Sequence, residues 1–218
     1  VQADADGMAL LQGLGAKSVP VVSRGTDFVF GQSIGDVADF LGIDVDTSPQ
    51  LSPAELVEKI DMIAAAAQRY IVQFPQHVAD LNVLDRKRTH RELSFHVFRV
   101  IEALLDCADG GELIYQYYAD KPPGDMGEFG QVADYGAEVR RRLKDWWRGY
   151  EDRACRGLVQ TYFGEKPLHE VMERTAWHAG QHVRQFMMLL ERMEIEPEIP
   201  MTDTDFSGLP MPEKVWDE

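Results

Sequence analysis

Arg174-Thr175-Ala176-Trp177-His178-Ala179-Gly180-Gln181-His182-Val183-Arg184-Gln185 lies within a proline-free run over residues 168–194. Its apolar residues recur at helical spacing: Leu168, Val171, Met172, Ala179, Phe186, Leu189 and Leu190. They define one inward stripe of a long helix. His178 and His182 fall in that stripe, one turn apart, so both imidazoles can reach a single point. Two readings compete: a metal-ligating pair, or two histidines buried for packing alone.

Working outward, three more amphipathic segments precede this helix. Ser52-Pro53-Ala54-Glu55 is a helix start, with a side-chain cap, proline in the first turn and glutamate at the third position. Leu56, Ile60, Ile63, Ala67 and Ile71 carry that helix towards Pro75. The spacing of Leu93, Val97, Val100, Ile101 and Leu104 predicts a second helix over 89–107, and His96 belongs to its apolar face. A third is expected within 132–159, with Val139, Leu143, Trp146 and Trp147 apolar. Four such helices predict a mainly α chain with a four-helix bundle over 52–195, long loops after the first two helices, and an extended tail over 196–218. Imidazoles on the inward faces of two helices are costly unless paired or ligated. Three neutral imidazoles also suit an open site for a divalent ion.

Residues 1–43 have a different texture. The spacing predicts a short helix, a β-type run over 18–23, a turn at Arg24-Gly25-Thr26-Asp27, a second strand at Phe28-Val29-Phe30, and a helix capped by Ser33 and closed by Gly42. Residues 44–51, with Pro49, form a linker. Gly15-Ala16-Lys17-Ser18-Val19-Pro20-Val21-Val22, with Phe30-Gly31-Gln32-Ser33 and Asp39-Phe40-Leu41-Gly42, resembles the C-terminal half of a glutaredoxin. The resemblance implies a cis Val19–Pro20 bond beside a thiol site, and a helix start at Ser33 that holds a glutathione carboxylate. Val19, Pro20 and Ser33 are thus the glutathione-site candidates. The strand and redox-cysteine helix that precede this half in glutaredoxins are not in the sequence, so thiol–disulfide exchange is not expected of it.

Charge narrows the partners. With 22 basic and 37 acidic residues the net charge is −15, which opposes nucleic acid and anionic membranes. No apolar run reaches the roughly 18 residues of a membrane span. Cys107 and Cys155 are the two cysteines and form no CxxC, so a reducing, cytoplasmic setting is expected. Arg140-Arg141-Arg142 and Lys144 read as a solvated face, Trp146 and Trp147 as packing residues, and Cys155 has no histidine near it in sequence. His90 and His169, near helix starts, are expected to be exposed. Gln185 is expected near the pocket rim, with Arg184 facing away.

Thr89-His90-Arg91-Glu92-Leu93-Ser94-Phe95-His96-Val97 and the 173–185 stretch together resemble the DinB-like superfamily of metalloproteins. Those are four-helix bundles with one ligand histidine on the second helix and an HxxxH pair on the last. The resemblance implies metal ligation by His96, His178 and His182, with zinc the first candidate and nickel, iron or manganese alternatives. It implies thiol-dependent S-transfer or isomerisation, using a low-molecular-weight thiol such as bacillithiol or mycothiol and a small electrophile. The glutaredoxin-like segment suggests glutathione as that thiol. Two other readings stand beside it. One is metal-assisted hydrolysis with Glu92 or Glu173 as base; the other is a non-catalytic metal-stabilised bundle, dimeric through the N-terminal segment.

Overall fold

The computed structural model describes residues 5–16, 19–84 and 86–215. The chain divides into two compact units, Val1–Ser48 and Pro49–Glu218. It is mainly helical, with six α-helices and two small antiparallel hairpins among the described residues.

The first unit runs α1 (Ala5–Leu14), β1 (Val21–Arg24), β2 (Asp27–Phe30) and α2 (Ile34–Leu41). Val21 pairs with Phe30 and Arg24 with Asp27, around a turn in which Gly25 has φ 65°. The Val19–Pro20 bond is cis. Ser33 caps α2 by accepting from the Asp36 N–H, and Gly42 closes it at φ 70°. Residue 18, where the first strand was expected to begin, lies outside the described residues.

The second unit contains α3 (Pro53–Ile71), α4 (His90–Ala108), α5 (Phe129–Gly149), the hairpin of β3 (Leu158–Thr161) and β4 (Gly164–Pro167), and α6 (Leu168–Arg192). Local chemistry sets the starts of α3 and α4. Ser52 Oγ accepts from the Glu55 N–H, while the Glu55 carboxylate takes the Ser52 N–H at 2.7 Å. Thr89 and Glu92 repeat this reciprocal cap, with Thr89 N donating to Glu92 Oε2 at 3.0 Å. Each cap supplies partners for donors the helix itself cannot satisfy, and contributes about 1 kcal/mol. α3 packs against both α5 and α6, and so does α4. Their facing sides form one apolar core that includes Ile60, Ile63, Phe98, Ile101, Leu143 and Phe186. No described helix is long and apolar enough to cross a membrane.

The third helix, expected within 132–159, runs Phe129–Gly149 and stops there because Asp152 accepts three backbone N–H groups, from Ala154, Arg156 and Gly157, in a turn that competes with helix. The chain then makes the β3–β4 hairpin, which is stitched to the loop after α4 by Leu113 N to Gln160 O (2.9 Å) and Tyr162 N to Leu113 O (2.8 Å). Three expectations are corrected. The tail does not simply lie extended: it turns at a 3-10 segment, Asp203–Phe206, and buries Met201, Phe206 and Leu209. The basic run of α5 is largely paired rather than solvated. Arg140 and Lys144 both bind Asp61 of α3 (2.7 and 3.0 Å), and Arg142 pairs with Glu102 and Asp106 of α4, leaving Arg141 outward with Glu138 and Asp145. His90 is buried, its Nδ1–H donating to Leu81 O at 2.9 Å, whereas partly buried His169 donates to Leu51 O at 2.8 Å.

Candidate metal centre

Helical period delivers three imidazoles to one place. His178 and His182 stand one turn apart on α6, and His96 enters from α4, which packs against it. His96 Nε2 and His178 Nε2 are 3.4 Å apart. Ring centroids are separated by 5.4 Å (His96–His178), 5.0 Å (His96–His182) and 5.1 Å (His178–His182). One nitrogen from each ring falls within 4.8 Å of the others. His96 and His182 are 3% and 5% exposed, and His178 is partly buried.

The donor set fits a divalent ion. Tetrahedral coordination at about 2.0–2.1 Å from each nitrogen places ligand nitrogens about 3.3–3.4 Å apart, the separation of the His96–His178 pair. Two Nε2 atoms at this distance need a proton or a cation between them. Gln185 Oε1 accepts from His182 Nδ1–H at 3.0 Å, which leaves the Nε2 lone pair of His182 as the ligand. His96 Nδ1 is buried with no hydrogen-bond partner among the described residues, so none of them fixes the tautomer of that ring. Burial first, then His182, Arg88, His178 and Arg174, hold His96 well below its ordinary pKa. His178 is lowered well below in the same way, by burial, His182, Arg174 and Arg88. Burial lowers His182 to about 3 against the opposing Gln185 bond. All three rings are therefore neutral at pH 7, the form that ligates metals.

The surroundings are aromatic and cationic. Tyr118, from the 3-10 segment Tyr115–Ala119, lies nearly parallel to His178, 5.5 Å between centroids and 10° between planes. Trp177 is close to parallel with His178 as well, at 5.9 Å and 21°. Arg174, one turn before His178, is buried and donates to Tyr118 Oη (2.9 Å) and Tyr162 Oη (2.8 Å). Arg88 donates to the Tyr118 carbonyl at 3.0 Å. Among the described residues no carboxylate joins the cluster. Glu92 is occupied by the Thr89 cap and by Lys121 at 2.7 Å. The Glu173 carboxyl is raised by burial and takes a backbone bond from Gln50.

The glutathione-site candidates lie in the first unit. The exposed Val19 offers its carbonyl to Gln32 Nε2 at 3.0 Å, and Pro20 O accepts from Gly31 N at 2.9 Å. Val19 and Pro20 line a groove of about 500 Å³ whose other walls include Leu10, Leu11 and Leu14. The Ser33 hydroxyl is committed to the α2 cap, and Asp36 puts a negative charge in the first turn, which opposes a carboxylate there.

Compared with models of known protein families and with curated proteins, the chain matches none.

Sequence reasoning missed Tyr118, Tyr162, Arg174 and Arg88. Tyr118 lies in a stretch without helical or strand period, and Tyr162 falls beyond the 132–159 range in which the third helix was expected. A β-type Val159-Gln160-Thr161-Tyr162-Phe163-Gly164 run was the available signal for the hairpin.

Proposed function

We propose that residues 52–195 are a DinB-like four-helix bundle and that the chain is a metal-dependent enzyme joining a low-molecular-weight thiol to a small electrophile. The bundle reading is supported by the pairing of each of α3 and α4 with both α5 and α6. The observation that carries the functional reading is the cluster of three neutral imidazoles, which no carboxylate among the described residues joins. Zinc fits best, because the His96–His178 spacing is that of a tetrahedral edge.

A divalent ion held there supplies Lewis acidity, lowering the pKa of a thiol so that it reacts as thiolate near neutral pH. The protein supplies the rest. His96, His178 and His182 hold the ion, and Gln185 orients His182. Tyr118 and Trp177 pack beside His178 and limit water. Arg88 and Arg174 make the local field positive, which draws an anionic reactant into an otherwise acidic protein. Among the described residues Glu92 and Glu173 are engaged elsewhere, which favours thiol transfer over hydrolysis.

Glutathione is the thiol proposed, and a cytoplasmic setting suits two buried free cysteines whose thiols burial pushes up to about 11. A homodimer through the first unit would cover its exposed Met8, Leu10, Val19 and Ile34. The reading is tested by mixing zinc-loaded protein with glutathione and 1-chloro-2,4-dinitrobenzene. Thiol consumption that requires the metal is expected. Consumption equal with and without metal, or none across glutathione, bacillithiol and mycothiol, would overturn it.

A further inference from the structure

Arg174 sends one guanidinium nitrogen to Tyr118 Oη and another to Tyr162 Oη, at 2.9 and 2.8 Å. Both phenol oxygens are thereby bonded to one planar guanidinium, with ring centroids 5.8 Å apart. A guanidinium has donors only, so each phenol acts towards Arg174 as an acceptor and keeps its own O–H proton for something else. Neither hydroxyl donates to any group among the described residues. A phenol ionises only at about pH 10, so each keeps that proton at neutral pH. Two polarised O–H donors therefore stand together beside the imidazole cluster, Tyr118 itself stacked on His178. Among the described residues, the charged side chains acting on the cluster are arginines: Arg88 and Arg174 on His96 and His178, Arg88 and Arg86 on His182.

We propose that Tyr118 and Tyr162, aligned by Arg174, form an oxyanion-binding pair, and that a reactant handled at the three-histidine centre carries a carboxylate. Two O–H donors held by one guanidinium can each meet an oxygen of a carboxylate, and the arginines around them favour its ionised form. The arrangement deepens the thiol-transfer reading, since it names the group by which a reactant is oriented. Its donors are the chain's own, so it can be measured apart from the metal. The carboxylate can belong to the thiol or to the electrophile.

The test uses cobalt-substituted protein, whose visible spectrum reports thiol coordination, in wild type and in Tyr118→Phe, Tyr162→Phe and the double variant. Phenylalanine keeps the ring on His178 and removes only the O–H. If the thiol supplies the carboxylate, the double variant weakens 3-mercaptopropionate at least about tenfold and 2-mercaptoethanol by less than about twofold, as expected for lost hydrogen bonds to a charged group. If the electrophile supplies it, the loss falls on benzoate added to the mercaptoethanol-loaded protein. In either case cobalt occupancy is unchanged. Equal weakening of both thiols, or none with any of the three ligands, overturns the proposal. Should wild type bind no cobalt, the metal reading fails on its own. The pair is then judged by benzoate-induced thermal stabilisation of metal-free protein, which the proposal expects in wild type and not in the double variant; equal stabilisation in both overturns it.

Discussion

His182 shows how one neighbour can decide what an imidazole does. Its Nδ1–H is spent on Gln185 Oε1, three residues further along α6, so the lone pair on Nε2 is presented to the cluster. Leucine at position 185 keeps helix propensity and volume while removing that acceptor. Gln185→Leu is expected to leave the fold intact and lower metal affinity about 10- to 100-fold, read by competition with a chromophoric chelator. Unchanged affinity would show that the rings are oriented by packing alone. At this scale the three histidines were legible in the sequence because helical period is local: three or four residues bring a side chain back to the same face. Tyr118, Tyr162 and Arg174 were not legible as a unit. They come from a 3-10 segment, a hairpin edge and a helix, and their meeting depends on contacts between residues 44 and 56 positions apart in pairs such as Tyr118–Tyr162 and Tyr118–Arg174. Burial of Arg174 among phenols rather than a solvated position follows from the same distant pairing.

Among the elements, the α4–α5 seam is set by a missing side chain. Gly136 on α5 faces the ring of Phe98 on α4, and a Cβ there would sit 2.5 Å from Phe98 Cζ. Phe98 is fully buried, so its ring has little room to retreat. In an open helix, Gly→Ala stabilises by about 1 kcal/mol. Overpacking a filled core costs about 1–3 kcal/mol. Gly136→Ala is therefore expected to destabilise the protein by about 1–2 kcal/mol, measured by urea denaturation; a stabilised variant would mean that the two helices separate freely. The starts of α3 and α4 were readable because their caps use residues three apart, Ser52 with Glu55 and Thr89 with Glu92. The end of α5 was not. Asp152 diverts the chain through side-chain bonds to the backbone, and no proline marks the place.

Across the whole molecule, a net charge of −15 argues against polyanionic partners, yet the charges that act on the imidazoles among the described residues are those of Arg86, Arg88 and Arg174. Composition reports the sum of charges and is blind to such local placement. The tail illustrates the same limit. Its prolines suggested an extended strap, but Phe206 lies against Gly180 on α6, where an added Cβ would come within 3.2 Å of its ring. Arg184 of α6 fixes the following residues by donating to Pro212 O (2.7 Å) and Glu213 O (3.0 Å). The α6 histidines are thus braced from behind by a segment whose packing could not be read from its own composition. Every step of the functional account passes through the ion those histidines would hold. The most direct measurement is metal content by elemental analysis of purified wild type, His178→Ala and His182→Ala, after equilibration with zinc and removal of excess. One ion per chain in wild type, and loss of it in both variants with the helical circular dichroism preserved, is the result expected. Full occupancy in either variant, or none in wild type, would contradict the account.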